Sequence, residues 1–583
     1  VSWQGLDTSL EADDPALRRG RSRLKLVSIL FGALFAGLAF RLVDLAPEER
    51  TAEAAPEPVA AGEPVRRRRP DILDRHGELM ATDIRVASIA ADPTQIADPR
   101  RTIERLARIL PRIDAGAVER RLAQAKAAGR RFEWIEHRVP PAIERAVLDA
   151  GLPGVLLRFA EHRVYPKGSA AGHLLGFVDI DNRGLAGFEH ALDHGRASGL
   201  RRATEVALSL DLRVQEALRS ELLRAHREFR TIGACGLVLD VRTGELLALV
   251  SLPDFDPNGA AHARPDQRKN RCTGGSYELG SLFKVLSHAA ALDSARVRVG
   301  QRFEIPPALK IGRYRIRDVH PARRPYSVAE IFSHSSNIGT ALMAFAAGGA
   351  EPLKGLLARL GLFERAPIEL LEVARPQVQR AWPDVVTATV SFGHGIAVSP
   401  LRFAEAVASL VGDGTLVRAT LLRRPDGAPA VAGPRIASRR TVEDLRWMMW
   451  LTVAEGTAKK AAVPGYLVGG KTGTADKAGR GGYRRGAVLA SFVGVFPVEA
   501  PRYLVLAVLD EPKANAASGG TRYGGQIAAP VVAAVIGRIG PILGVPPSDP
   551  AVEARWRDRW QAMRPTAELA PGGSRLAAVD TRR

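Results

Sequence analysis

Gly280-Ser281-Leu282-Phe283-Lys284 is the stretch on which the reading of this chain turns. Ser281 and Lys284 stand three residues apart, a spacing that puts both side chains on one face of a helix. A serine hydroxyl is a poor nucleophile until a neighbouring base takes its proton, and a lysine serves as that base only when uncharged. Burial and a second nearby cation each lower a lysine pKa, so the pair calls for a secluded, positively charged pocket. Gly280 allows a helix to begin at Ser281, and the free N–H groups of a first turn are able to hold an oxyanion. Alone, Ser-x-x-Lys is weak evidence, because the same spacing is common on solvated helix faces.

Two later motifs narrow the choice. Ser335-Ser336-Asn337 precedes the apolar run Ile338 to Ala347. Ser335 is able to relay protons between a lysine and a leaving amine, and Asn337 to hold a substrate amide. The bland alternative is a helix N-cap, for which Ser and Asn are favoured. Val468-Gly-Gly-Lys471-Thr472-Gly473-Thr474-Ala475 supplies a cation, two hydroxyls and a glycine where a ligand would approach a strand. Gly465 to Thr472 also matches a phosphate-loop pattern, but its interior Tyr466-Leu467-Val468-Gly469 is mostly apolar and Gly-Thr-Ala follows instead of a long helix.

Working outward, 583 residues require several domains, and 46% hydrophobic with 25% charged residues excludes a mainly disordered chain. Two cysteines exclude a disulfide-rich scaffold and a multi-cysteine zinc site. The net charge of +20 favours a polyanionic neighbour, but nothing in the sequence forms a nucleic-acid-binding module, and no nucleic acid is expected as a partner. Leu26 to Phe40 is an uncharged apolar run with Arg18, Arg19, Arg21, Arg23 and Lys25 before it and Asp44, Glu48 and Glu49 after it. The charge asymmetry predicts a single anchor with a cytoplasmic N-terminus and an exported remainder; a cleaved signal peptide is the alternative. The expected order is a cytoplasmic segment 1–23, an anchor 24–45, a linker 46–65 rich in Ala, Pro and Glu, a first exported domain 66–205, a second 206–545 and a loosely held tail 546–583.

Within the first exported domain Val86 to Ala90 reads as a strand and Arg100 to Gln124 as helical. In the second, Val206 to Leu210 is strand-like and Asp211 caps a helix reaching about Arg230. Ala234–Leu239 with Leu246–Ser251, and Ala490–Phe496 with Tyr503–Leu509, read as hairpins, and Pro530 as the opening of an apolar helix to about Ile539. Strands at both ends with helices between predict an antiparallel sheet packed against helices, an α+β fold.

The trio Ser-x-x-Lys, Ser-x-Asn, Lys-Thr-Gly, in that order, resembles the signature of class B penicillin-binding proteins, membrane-anchored peptidoglycan D,D-transpeptidases, and more narrowly their cell-division type. Further motifs share the resemblance: Arg69-Pro-Asp-Ile-Leu-Asp-Arg-His-Gly77, Tyr165-Pro-Lys-Gly168 with His173 to Gly176, Gly184-Leu-Ala-Gly-Phe-Glu189, Pro253 to Asn258, Phe392-Gly-His-Gly395, Ser399-Pro400 and Gly456-Thr457. Leu279 departs from the usual proline before Gly-Ser. The resemblance implies a penicillin-binding transpeptidase domain on an elongated N-terminal pedestal (dimerisation-type) domain. It implies Ser281 as nucleophile, Lys284 as base, and Ser335 and Asn337 as proton relay and substrate support. Lys471, Thr472, Gly473 and Thr474 would form the carboxylate-binding edge, with the N–H groups of Ser281 and Thr474 as oxyanion hole. The implied partners are D-Ala-D-Ala stem peptides, β-lactam antibiotics, a polytopic SEDS-type glycosyltransferase and divisome membrane proteins. No metal or organic cofactor is implied, and the implied location is the bacterial inner membrane with the catalytic domain periplasmic. An elongation-specific transpeptidase, a β-lactamase or D,D-carboxypeptidase, and a catalytically silent division scaffold or β-lactam sensor are the competing readings.

Other residues read as bland. His190 and His194 lack the intervening Glu of a metal-binding helix. Cys235 and Cys272 read as buried free thiols, with a bridge as the alternative. His334 reads as structural, and Arg66 to Arg69 as a pedestal or membrane-surface contact.

Overall fold

The computed structural model describes residues 31–34, 36, 68–425, 433–479 and 482–564. Of the expected anchor, residues 31–34 and 36 are α-helical; the rest of 24–45, with the linker, lies outside the described residues.

The first domain is built on β1 (Asp71–Leu73) and β2 (Leu79–Ala91), with helices α1 (Pro99–Ile109) and α2 (Ala115–Ala127), strands β3 (Glu133–Val139) and β4 (Val155–Val164), and α3 (Gly187–His194). The long strand β2 pairs antiparallel with β1, β3 and β4, while β1 also runs parallel to β5 (Glu205–Ala207). The single helical stretch expected over 100–124 is two helices. Asp98 caps the first, with Pro99 at its start, and Asp114 caps the second just after Pro111 has broken the run.

A buried ionic cluster ties β1, β2, β4 and α3 together. Arg69 Nε donates to Glu189 Oε2 (2.8 Å) and its Nη1 to Asp193 (2.8 Å), while Arg163 donates to Glu189 Oε1 (2.6 Å) and Asp83 (3.3 Å). Of the two contacts expected for the arginine run, Arg69 makes the one within the first domain, and it is fully buried because three carboxylates converge on it and Arg163.

The second domain opens with α4 (Leu212–Glu228), capped by Asp211 as expected. Strands β6 (Gly233–Asp240) and β7 (Leu246–Leu252) form the first expected hairpin. Helix α5 (Lys284–Asp293) follows the nucleophile motif, and a small hairpin β8 (Leu309–Ile311) and β9 (Tyr314–Ile316) precedes α6 (Asn337–Ala346). Helices α7 (Asp384–Ser391), α8 (Pro400–Val411) and α9 (Arg439–Ala454) come next. Strands β10 (Gly469–Gly479), β11 (Gly482–Phe496) and β12 (Tyr503–Asp510) complete an antiparallel sheet of order β10-β11-β12-β6-β7. Its central strands β6 and β12 are buried at every residue, because helices cover both faces. On one face lie α4 and α10 (Gly524–Ile542), on the other α8 and α9. Helix α10 begins six residues before Pro530, which is accommodated inside it. It is long and apolar enough to cross a membrane, yet over half of it is buried against the sheet, so it is a core helix.

Two expectations are corrected. The tail is not loose through Met563: α11 (Pro550–Met563) docks through Val552, Trp556, Trp560 and Met563, and Trp447 Nε1 donates to the Trp556 carbonyl (3.2 Å). Those four residues form a helical stripe that composition alone concealed. Cys235 and Cys272 form a disulfide, because the loop before the nucleophile folds back over β6 and brings the two Cα atoms to 5.5 Å.

Candidate active site

Ser281 lies on a 3₁₀ turn, Gly280–Phe283, that feeds directly into α5 at Lys284. In a 3₁₀ turn residues i and i+3 eclipse, and with Lys284 directly following this turn the backbone carries Ser281 and Lys284 on the same side. Gly280 has φ +53°, and a Cβ there would press on Ala475 Cβ (3.0 Å) and the Thr474 carbonyl (3.1 Å). Glycine thus lets the Ser281 turn lie against β10.

Lys284 is fully buried. Its Nζ donates to the Ser335 carbonyl (2.6 Å), Asn337 Oδ1 (2.7 Å) and Ser335 Oγ (3.2 Å). Among the described residues no carboxylate lies within ion-pair distance of it. Burial drives its pKa well below 10.5, the charge of Lys471 lowers it further, and the more distant Asp318 opposes the shift. Lys471, also fully buried, donates to Ser335 Oγ (2.9 Å), and burial lowers its pKa to about 7. Ser335 Oγ therefore bridges the two lysines. Its backbone has φ +62°, an unusual state for a non-glycine residue and one that aims both its carbonyl and its hydroxyl at Lys284.

The element that holds Ser335 there was not read from the sequence. Asp318 accepts from Ser336 Oγ (2.5 Å), Asn337 N (2.5 Å) and Ile338 N (3.0 Å). Ser336 in turn caps α6 through the Gly339 N–H (2.8 Å). The N-cap reading of this motif thus applies to its middle residue, while its first and third face Lys284. The only sequence signal for Asp318 is that it is the lone acid in the basic run 309–324.

On the opposite wall, the Thr472 and Thr457 hydroxyls hydrogen-bond at 2.9 Å, and Thr474 Oγ1 accepts from Gly524 N (3.0 Å). Gly473 does not leave room for a ligand, as its motif suggested. A Cβ there would meet Ser491 Oγ (2.4 Å), Leu282 Cγ (2.8 Å) and the Leu279 carbonyl (2.9 Å), so the missing side chain admits the Ser281 turn itself. The expected residues thus gather from a turn, a loop and a strand into one pocket: Lys284, Ser335, Asn337 and Lys471 in direct contact, with Ser281, Thr472, Gly473 and Thr474 beside them. His334 faces Tyr326, at 5.3 Å between ring centroids.

Residues 234–537 match the family model for the penicillin-binding protein transpeptidase domain, and residues 64–201 that for the penicillin-binding protein dimerisation domain. The chain belongs to the penicillin-binding protein family. It is 38% identical over 535 residues to the probable peptidoglycan D,D-transpeptidase FtsI of Caulobacter vibrioides, covering 90% of this chain and 89% of that protein. With the peptidoglycan D,D-transpeptidase FtsI of Escherichia coli K12 the identity is 30%, covering 80% and 82%. The transpeptidase domain of Burkholderia pseudomallei penicillin-binding protein 3 superposes with a TM-score of 0.53 at 31% identity, over 59% of this chain and 98% of that one. Penicillin-binding protein 3 of Mycobacterium tuberculosis, solved with aztreonam, shares the fold with a TM-score of 0.64 over 83% of this chain and 97% of that one.

Proposed function

We propose that this penicillin-binding protein is a serine-acyl D,D-transpeptidase that cross-links peptidoglycan stem peptides at the division septum and is acylated by β-lactams. The observation that carries the reading is Lys284: a buried amine with no carboxylate partner among the described residues, beside Ser335 and a second lysine. Neutral Lys284 takes the proton of Ser281 Oγ as the oxygen attacks the carbonyl of the penultimate D-Ala. The N–H groups of Ser281 and Thr474 receive the oxyanion. The proton passes through Ser335 Oγ to the departing D-Ala nitrogen, the C–N bond breaks and an ester on Ser281 remains. The amine of a second stem then attacks that ester, returns its proton along the same path and releases the serine. The hydroxyls of Thr472 and Thr474 hold the terminal carboxylate, with the Lys471 charge behind them. Asn337, whose Oδ1 is engaged by Lys284, offers its NH₂ to the substrate amide.

Residues 24–45 would anchor the chain in the inner membrane, residues 66–205 serve as pedestal and 206–545 as catalytic domain. Glycan polymerisation would come from a polytopic SEDS-type glycosyltransferase and other divisome membrane proteins. Gel labelling with a fluorescent penicillin tests the chemistry: the wild-type chain is expected to label and Ser281→Ala not to, and labelling that survives the substitution removes the nucleophile assignment. The FtsI names of the relatives favour the septal role over elongation. Depletion separates the two, with filaments expected and rounded cells contradicting.

A further inference from the structure

The hairpin β8–β9 breaks a local rule of sheet pairing. Lys310 and Arg315 stand directly opposite each other, and like charges in that register are destabilising. Leu309 is paired with Ile316, and Ile316 is buried with Ile338 and Phe392 against α6 and α7. Alternation therefore sends Lys310 and Arg315 to the solvent face, and Arg313 and Arg317, two residues either side of Arg315, extend the same row. All four are exposed. Among the described residues none of Lys310, Arg315 and Arg317 has a carboxylate within ion-pair distance, and Arg313 is engaged only with Tyr314, through its hydroxyl (3.1 Å) and its ring (5.2 Å to the centroid). Neighbouring cations behave otherwise: Arg324 and Arg302 both pair with Glu330, at 2.5 and 3.3 Å. The acid closest in sequence, Asp318, is occupied by the Ser-x-Asn loop.

This row borders the catalytic pocket. The Arg317 carbonyl accepts from Asn337 Nδ2 (3.5 Å). His320 reaches the ring of Tyr523 at 6.5 Å, and the next residue, Gly524, donates to Thr474 Oγ1. The basic segment thus touches both walls of the cleft.

We propose that Lys310, Arg313, Arg315 and Arg317 form a subsite for the carboxylates that an acidic stem peptide carries upstream of its D-Ala-D-Ala end. The proposal rests on the transpeptidase reading above. A peptide anchored by its terminal carboxylate at Thr472 and Thr474 passes the Ser-x-Asn loop, and its remaining carboxylates meet the unpaired cations, relieving the repulsion between Lys310 and Arg315.

The test is protection of Ser281 from fluorescent penicillin by two competitor peptides ending in D-Ala-D-Ala. One carries free upstream carboxylates; in the other these are amidated and only the terminal carboxylate remains. In the wild-type chain the acidic peptide is expected to protect at about tenfold lower concentration, an advantage that shrinks as salt is raised. In the Lys310→Gln, Arg313→Gln, Arg315→Gln, Arg317→Gln variant the two peptides are expected to protect equally. The ratio is read within each protein, so a general loss of fold cancels, and Arg315→Gln alone is expected to give an intermediate ratio. Equal protection in the wild type, or a preference that survives in the variant, overturns the subsite. A variant that keeps its peptide preference but loses binding to phosphatidylglycerol vesicles also overturns it, in favour of a lipid-facing surface. If penicillin labels Ser281 and neither peptide protects, it is the D,D-peptide reading that fails.

Discussion

Two buried clusters of cations, one in each domain, are solved in opposite ways. In the first domain, Arg69 and Arg163 are surrounded by Glu189, Asp83 and Asp193. Burial pushes the Arg69 pKa down, but Glu189 and Asp193 outweigh it and the net direction is up. In the second domain's pocket, Lys284 and Lys471 are also fully buried, yet their hydrogen bonds go to two backbone carbonyls, an amide oxygen and the one Ser335 hydroxyl they share. Burial lowers Lys284, Lys471 lowers it again, and Asp318 behind the loop only partly opposes. A guanidinium does not give up its proton within proteins, and bidentate carboxylates suit it, so the first cluster is a clamp. An ammonium without a carboxylate beside it sheds its proton readily, so the second suits the base of the proposed mechanism. The lesson is that identical burial yields fixed charge or labile charge according to whether carboxylates accompany it.

Exchanging the two chemistries should have the largest effect. Lys284→Arg keeps a cation but removes the labile proton, and acylation of Ser281 by penicillin is expected to fall by about 10²- to 10⁴-fold. Stopped-flow labelling measures it, and a rate near wild type would show that Lys284 is not the base. The reverse experiment, Glu189→Gln, leaves two buried guanidiniums short of charge. It is expected to cost about 3–5 kcal/mol in urea unfolding while the acylation rate of the folded fraction is kept; an undiminished unfolding midpoint would deny the clamp.

Stability should also follow pH differently in the two clusters. Lys471 titrates at about 7 in the folded chain against 10.5 ordinarily, so between those values the unfolded chain binds more protons. Stability is therefore expected to rise with pH across that window and to be lost as pH falls through 7. Lys471→Met should flatten the slope, and an unchanged slope would assign it to other groups. The smallest expected effect is at Asp318. Asp318→Asn retains an acceptor for the Asn337 and Ile338 N–H groups but removes the charge that raises the Lys284 pKa. The acid limb of the acylation–pH profile should move to lower pH, and a limb that stays in place would leave Asp318 only a structural role.

Much of this molecule is legible along the chain. The hairpins β6–β7 and β11–β12 follow from uninterrupted apolar strands broken by Thr243-Gly244 and by Pro497 and Pro501, and α4 from its Asp211 cap. Ser281, Lys284, Ser335, Asn337 and Lys471 were visible as motifs because their spacing is local chemistry. What was hidden depends on partners far away in the sequence. The disulfide needed the loop at Cys272 to fold over β6, the tail helix needed Trp447 and Trp450 to receive it, and Arg69 needed Glu189 120 residues away. The sequence by itself determined which groups could react and where the apolar strands of the second domain's sheet would run, since both depend on residue type and short spacing. Only the tertiary structure decided which of the buried cations would lack a carboxylate, and that decides reactivity, because a pKa is set by what surrounds a group in space.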